Sequence, residues 1–239
     1  LSDRHITRDK LPVHALLATG AVHHRLIHEG IRCNANLVVE TATARDPHHF
    51  ATLIGYGATA VYPYLAFEVL DHMIRSGEIA AGDGTQIGIN YRRGINKGLY
   101  KITSKMGIAT ITSYRGAQLF EIVGLHDEVV DLCFKGTVSR VQGMRFEDLD
   151  EDRRRLAWDA WNPRKSRSPG GLLKYVHGGE YHAFNPDVIA TLQEAVNEGD
   201  FARYREFAET VDKRPVTTLR DLLQVQVDRK STRLNSITV

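Results

Sequence analysis

Apolar positions along this chain fall in short periodic runs divided by polar turns, and the period switches repeatedly between helical and strand-like. Over residues 11–30, Leu16, Val22, Leu26 and Ile27 mark one side of a helix, and Gly30 stands as its stop. Leu37, Val38 and Val39 follow as a continuous apolar run, which predicts a short buried strand. Asp46-Pro47 then opens a helix, with Asp as N-cap and Pro at the first position. Phe50, Leu53 and Ile54 keep helical spacing, and Gly57 ends it. Residues 58–62 predict the next strand, and residues 64–75 a helix with Ala66, Val69, Leu70 and Met73 on one face. After a Gly82-Asp83-Gly84 loop, the pattern predicts a helix over 90–106, a strand over 108–112 and helices over 116–123 and 127–134. Such alternation is the mark of an α/β fold: βα units with a parallel sheet, a barrel-like half.

The character changes near residue 147. A dense run of mixed charge over 147–155 predicts a solvated helix face that buries Leu149, Leu156 and Trp158. Residues 162–171 are rich in Pro, Gly and Ser and read as a linker. Beyond it, Asn185-Pro186-Asp187 starts a helix to about Glu198. Phe201, Tyr204, Phe207, Ala208 and Val211 predict a second, and residues 217–223 a further helical turn. The C-terminal segment is thus mostly helical, with no strand of its own to pack on. The last stretch, DRKSTRLNS over 228–236, resembles a translated DNA sequencing adapter. Residues 228–239 are therefore expected to be a non-native tail that packs poorly.

Length and composition narrow the function classes. The chain has 239 residues, enough for a sizeable core. A formal net charge of +2 without a long basic stripe argues against nucleic acid as a partner. No apolar run approaches the roughly 20 residues needed to cross a bilayer, so no membrane partner is expected. The opening Leu-Ser-Asp-Arg-His has neither an initiator Met nor a signal pattern, as expected of a fragment. Cys33 and Cys133 form no CxxC pair and read as two reduced thiols.

Candidate chemistry is sparse. In two places a polar segment carrying an Arg sits between a predicted strand and a helix: residues 40–45, ahead of a helix ending at Gly57, and residues 112–115, ahead of one ending at Gly124. Ligands gather at that edge of α/β sheets, so Glu40, Arg45, Lys105, Ser113 and Arg115 form a candidate strand-end polar cluster. In it Arg115 is available to pair with Glu40 or Glu121. His24 and His28 have the i, i+4 spacing of a helical metal pair, but no inward carboxylate completes a site. There is no nucleophile elbow and no phosphate-binding glycine loop, so no catalytic residue and no bound cofactor are assigned.

The run KITSKMGIATITSYRGAQLFE over residues 101–121 resembles a segment of the glutamate synthase large subunit family. So do LLATGAVHHRLIHEG (16–30), VVET (38–41), RDPHHF (45–50), IGYGA (54–58), YPYLA (62–66), EYHAFNP (180–186) and the stretch from Arg214-Pro215 to LRDLL (219–223). The resemblance implies that residues 1–161 are the C-terminal part of a central domain. Residues 162–179 are then a linker, and residues 180–227 the entry to a synthase domain. It implies a parent that makes two glutamates from glutamine, 2-oxoglutarate and reductant, using FMN and a [3Fe–4S] cluster. Its partners would be the remaining domains of the subunit and a small NAD(P)H-oxidising subunit or ferredoxin, in the cytoplasm or a plastid. None of the family's reacting residues maps onto this chain, so the implied role is architectural. Two further readings stand beside it. One is a stand-alone βα protein that binds a small anion through Arg45 and Arg115. The other is a helical interaction module after Gly171.

Overall fold

The computed structural model describes residues 1–80, 84–162, 170–227 and 234–238. The chain divides into two compact units, Leu1–Asn162 and Pro163–Val239.

In the first unit, helix α1 (Ala15–His28) leads through a 3-10 turn (Arg32–Asn34) into β1 (Val38–Glu40). Helix α1 ends because Gly30 takes φ 71°. That lets Gly30 N–H bond Ile27 O and Ile31 N–H bond Leu26 O, closing the free carbonyls of the last turn. Helix α2 (Pro47–Gly55) then crosses over to β2 (Ala60–Tyr62), which pairs with β1 in parallel, Val38 opposite Ala60 and Glu40 opposite Tyr62. The Asp46 carboxylate caps α2 by accepting from His48 N–H and His49 N–H, and His49 Nδ1 accepts back from the Asp46 and Arg45 N–H groups. Helices α3 (Tyr64–Arg75), α4 (Gly84–Lys105) and α5 (Ile111–Tyr114) follow. A second parallel unit comes next: β3 (Glu121–Leu125), α6 (Asp127–Cys133) and β4 (Val138–Met144), then helix α7 (Phe146–Trp161).

The α/β class with parallel βα units is thus present, with the two parallel pairs in separate two-stranded sheets. Two apolar clusters hold the unit together. Val39, Phe50, Leu53, Ala58 and Ile95 pack beneath β1 and β2. Ile122, Val130, Cys133 and Phe134 pack beneath β3. Leu16 touches both, so α1 is their common wall. Each fully buried aliphatic side chain here contributes about 1.5–3 kcal/mol of transfer free energy.

Several sequence expectations are corrected. The strand expected over 108–112 does not form. Thr110 Oγ1 accepts from Ser113 N–H and caps α5, and Tyr114 turns inward with 2% of its surface exposed. The helix expected over 116–123 is instead a turn feeding β3, with left-handed Gly116 and Gln118. The second copy of the strand–Arg–helix unit is therefore absent. Strand β4 had no local signal, since its pairing with β3 is non-local and bulged around Val123. Val38 is exposed while Val39 is buried, so β1 is covered on one face only. On α3, Val69 is exposed and Tyr64 is the buried residue. On α7, Leu156 and Trp158 are exposed and only Leu149 is half-buried. Residues 82 and 83 of the expected loop lie outside the described residues, and Gly84 opens α4.

The second unit contains helices α8 (Pro186–Glu198) and α9 (Phe201–Asp212), which pack on each other, and a 3-10 turn (Leu219–Leu222). Asn185 caps α8 through Val188 N–H, and Gly199 closes it at φ 65°. The Asp221 carboxylate accepts from Arg214 Nη2, Thr217 N–H and Oγ1, and Thr218 N–H. These bonds, Arg214 first, hold its carboxyl far below the usual carboxylate range. This unit has strands after all: β5 (Gln224–Val227) pairs antiparallel with β6 (Leu234–Thr238), so part of the tail expected to pack poorly is paired. Most of the 162–171 linker lies outside the described residues.

Candidate functional site

Glu40 closes β1, and its charge is already partnered. Ser2 Oγ donates to its Oε2 at 2.6 Å, and Arg4 Nε lies 3.3 Å from its Oε1. Arg4 also reaches Glu68 at 3.5 Å and sits over the Tyr64 ring, 4.9 Å from its centroid. Buried Thr41 donates to Asp3 Oδ2 at 2.6 Å, and Asp3 Oδ1 accepts from Ala42 N–H at 3.0 Å. The first residues run beside β1: Leu1 N donates to Val38 O, Glu40 N–H to Leu1 O and Asp3 N–H to Glu40 O. This strand end is a closed network that anchors the N-terminal segment.

The other four sequence candidates are scattered. Arg45 is exposed, and its carbonyl accepts from Tyr91 Oη at 3.0 Å. Lys105 ends α4, exposed to solvent. Ser113 shares a hydroxyl contact with Thr110 at 2.8 Å. Arg115 follows α5, and its Nε is buried without a partner among the described residues. It pairs with neither expected carboxylate, because Glu40 is taken by Arg4 and Glu121 faces Arg140 at 3.7 Å. Among the described residues no hydrogen bond or ion pair joins any two of Glu40, Arg45, Lys105, Ser113 and Arg115.

Sequence reasoning missed a three-bond arginine contact. Arg32 Nε donates to His23 Nδ1 at 2.9 Å, Nη1 to Ala35 O at 2.7 Å and Nη2 to Gly57 O at 2.8 Å. Arg32 thereby ties α1 to the end of α2. Gly57 permits this because φ is 109° and any Cβ there would strike the His23 ring. The signal was present as a glycine after a helix, but it read only as a stop. An imidazole that accepts from a guanidinium must be neutral at Nδ1. Burial, then the charges of Arg32, His24 and Arg115, push His23 down to about 4. Burial also lowers His14, helped by Arg153 and His49, and His24, helped by Lys135.

These shifts predict a pH response. A histidine held neutral in the fold takes up protons in the unfolded chain first, so stability rises with pH across the gap between the two values. Unfolding free energy should therefore be full near pH 7 and fall as pH drops from about 6.5 to about 4. Asp46 and Asp221 respond only below that window, since both are depressed from 3.8. Urea titrations across the window check this, and a flat profile there would contradict it.

His28 is exposed beside Glu29, and no group of three or more His, Cys, Asp or Glu suited to a metal occurs among the described residues. Burial pushes the Cys133 thiol up to about 11, which keeps it protonated, while Cys33 is exposed.

Comparison with known proteins decides the family. The glutamate synthase central domain family matches residues 1–126. The chain belongs to that family. It is 41% identical over 242 residues to the ferredoxin-dependent glutamate synthase of Pyropia yezoensis, covering 96% of this chain and 16% of the relative. It is 37% identical to the NADPH glutamate synthase large chain of Bacillus subtilis, over 99% of this chain and 16% of that one. The NADH glutamate synthase of Schizosaccharomyces pombe is 40% identical, over 95% and 11% respectively. The chain thus spans about a sixth or less of the relatives it matches. One residue-level test bears on the glutamate synthase cofactors. Two cysteines cannot supply the three thiolates of a [3Fe–4S] cluster. The two cysteines do not fit the cluster. The second unit's described strands are one antiparallel pair. No helix among the described residues is long and apolar enough to cross a membrane.

Proposed function

We propose that this chain is a structural segment of a glutamate synthase large subunit. In this reading residues 1–161 are the C-terminal part of the central domain, 162–179 a linker and 180–227 the entry to the synthase domain. Residues 228–239 are a non-native tail. The parent converts glutamine and 2-oxoglutarate into two glutamates, with electrons from ferredoxin or from NAD(P)H through a small subunit. Its FMN and cluster are carried on other parts of that subunit, in the cytoplasm or, for the ferredoxin type, a plastid. The segment keeps the glutaminase and synthase sites apart and helps enclose the route ammonia takes between them.

The alignment of nearly the whole chain with large chains using different electron donors carries this reading. A region shared across donor types serves what those enzymes have in common. The closed network at Glu40 and the Arg32 tie are consistent with a positioning role, since both spend their polar groups on holding loops. Exposed Trp158 and Trp161 in the first unit, and Leu173 and Phe184 in the second, are apolar surfaces for neighbouring domains of the same subunit to cover.

The purified chain should release no ammonia from glutamine, form no glutamate from 2-oxoglutarate and retain no flavin absorbance. Stoichiometric FMN, or glutamine-dependent ammonia release, would overturn the architectural role.

A further inference from the structure

Outside the networks above, a cavity of about 340 Å³ opens between the start of α1, the β1–α2 loop and α7. Its polar lining is Arg45, Arg153, His14, His49, Thr43 and Thr52. That volume is in the range of small-molecule sites. Two arginines are among its lining residues, Arg153 close enough for its charge to act on His14, and the neighbouring carboxylates are engaged elsewhere. On α7, Asp150 pairs with Arg154 at 2.6 Å and Asp152 with Arg155 at 3.0 Å, leaving Arg153 without a carboxylate among the described residues. Beside Arg45, Asp46 is held by the His48 and His49 N–H groups and lies 3.5 Å from the His49 ring.

Other groups around the cavity agree in sign. Thr43 and Thr52 already use their hydroxyls, Thr43 with Thr41 and Thr52 on the carbonyls of His48 and His49. Asp46 occupies the first N–H groups of α2, so the arginines are the free cationic donors here. His14 is kept from protonating by burial and then by Arg153 and His49. Asp3, the one carboxylate acting on it in the opposite sense, is bonded to Thr41 and Ala42. Planar guanidiniums favour the paired oxygens of carboxylates and phosphates.

We propose that this cavity binds a small oxyanion, a dicarboxylate or phosphate-bearing metabolite, anchored by Arg45 and Arg153. The site is independent of the architectural role, which requires no ligand here. A free anion and a carboxylate from elsewhere in a longer polypeptide share this chemistry, and the proposal commits to the free anion.

The test is calorimetric titration of the whole chain with succinate, inorganic phosphate and uncharged succinamide. Histidine ring NMR follows His14 in parallel. The expected result is saturable binding of succinate or phosphate, none of succinamide, and a rise of the His14 pKa on saturation. Arg153→Gln and Arg45→Gln should each weaken binding roughly tenfold or more. Arg140→Gln, at an exposed residue facing Glu121, should leave it unchanged. Absence of saturable binding, or equal binding in all three variants, overturns the proposal. If a variant fails to fold, the His14 shift in the unmodified chain still decides: movement with succinate or phosphate supports the site, and none with either rejects it. Neither outcome alters the flavin and ammonia tests, so the two readings fail separately.

Discussion

Phe134→Ala is expected to lower the stability of the first unit by about 3–5 kcal/mol. Phe134 is 4% exposed and belongs to the cluster with Ile122, Val130 and Cys133. Its ring meets Tyr56 edge-on, with centroids 4.8 Å apart. Tyr56 is itself fixed by its hydroxyl contact with Thr137 at 2.8 Å. Truncation removes this contact and leaves a hole that the walls cannot fill, because α1 and α6 already touch through backbone at Gly20. Leu132→Ala, two residues away and 57% exposed, should change stability by no more than about 0.5 kcal/mol. Both tryptophans, Trp158 and Trp161, lie in α7, so their fluorescence during urea unfolding reports the first unit alone. A Phe134→Ala loss below about 1 kcal/mol would mean this cluster is not packed as described.

Gly20→Ala is the second large effect, and its sign separates two forces. Alanine favours an exposed helix interior over glycine by about 1 kcal/mol. Gly94, inside α4 with open space where a Cβ would go, should show that gain as Gly94→Ala. At Gly20 a Cβ would overlap the Cys133 carbonyl oxygen and crowd Phe134 Cδ1. A backbone carbonyl ending α6 cannot swing aside as a flexible side chain does. The helices must separate, so overpacking of about 1–3 kcal/mol should outweigh the propensity gain. Circular dichroism melts of the two variants should shift in opposite directions. A stabilising Gly20→Ala would show that α1 and α6 are not in backbone contact.

Helices bounded by local signals were legible from the residues alone. Asp46-Pro47 and Asn185-Pro186 begin helices where a capping side chain meets a preset φ, and Gly30 and Gly57 end them where a left-handed residue closes the carbonyls. The family was legible too, because long motifs in order do not depend on which face a side chain takes. The candidate site was read less well. Arg115 sits next to Tyr114 in sequence, but whether it meets Glu40 depends on what else reaches Glu40 first. Ser2 and Arg4, some 38 and 36 positions away, do so. Trp158 looked like core from its spacing, yet α7 exposes it, since periodicity shows that a face exists and not what covers it.

By itself, then, the order of residues determined the ends of the helices that carry capping signals, the βα alternation and the family, all of which rest on signals within a few positions or on motifs. Tertiary structure alone decided that 121–125 pairs with 138–144, that Arg32 fastens His23 to Gly57, and that Arg45 and Arg153 share one cavity. Each of these joins segments whose approach depends on the whole packed unit. A strand without its partner, or a charge without its neighbour, has many local alternatives of similar free energy, and only burial of the surrounding core selects among them.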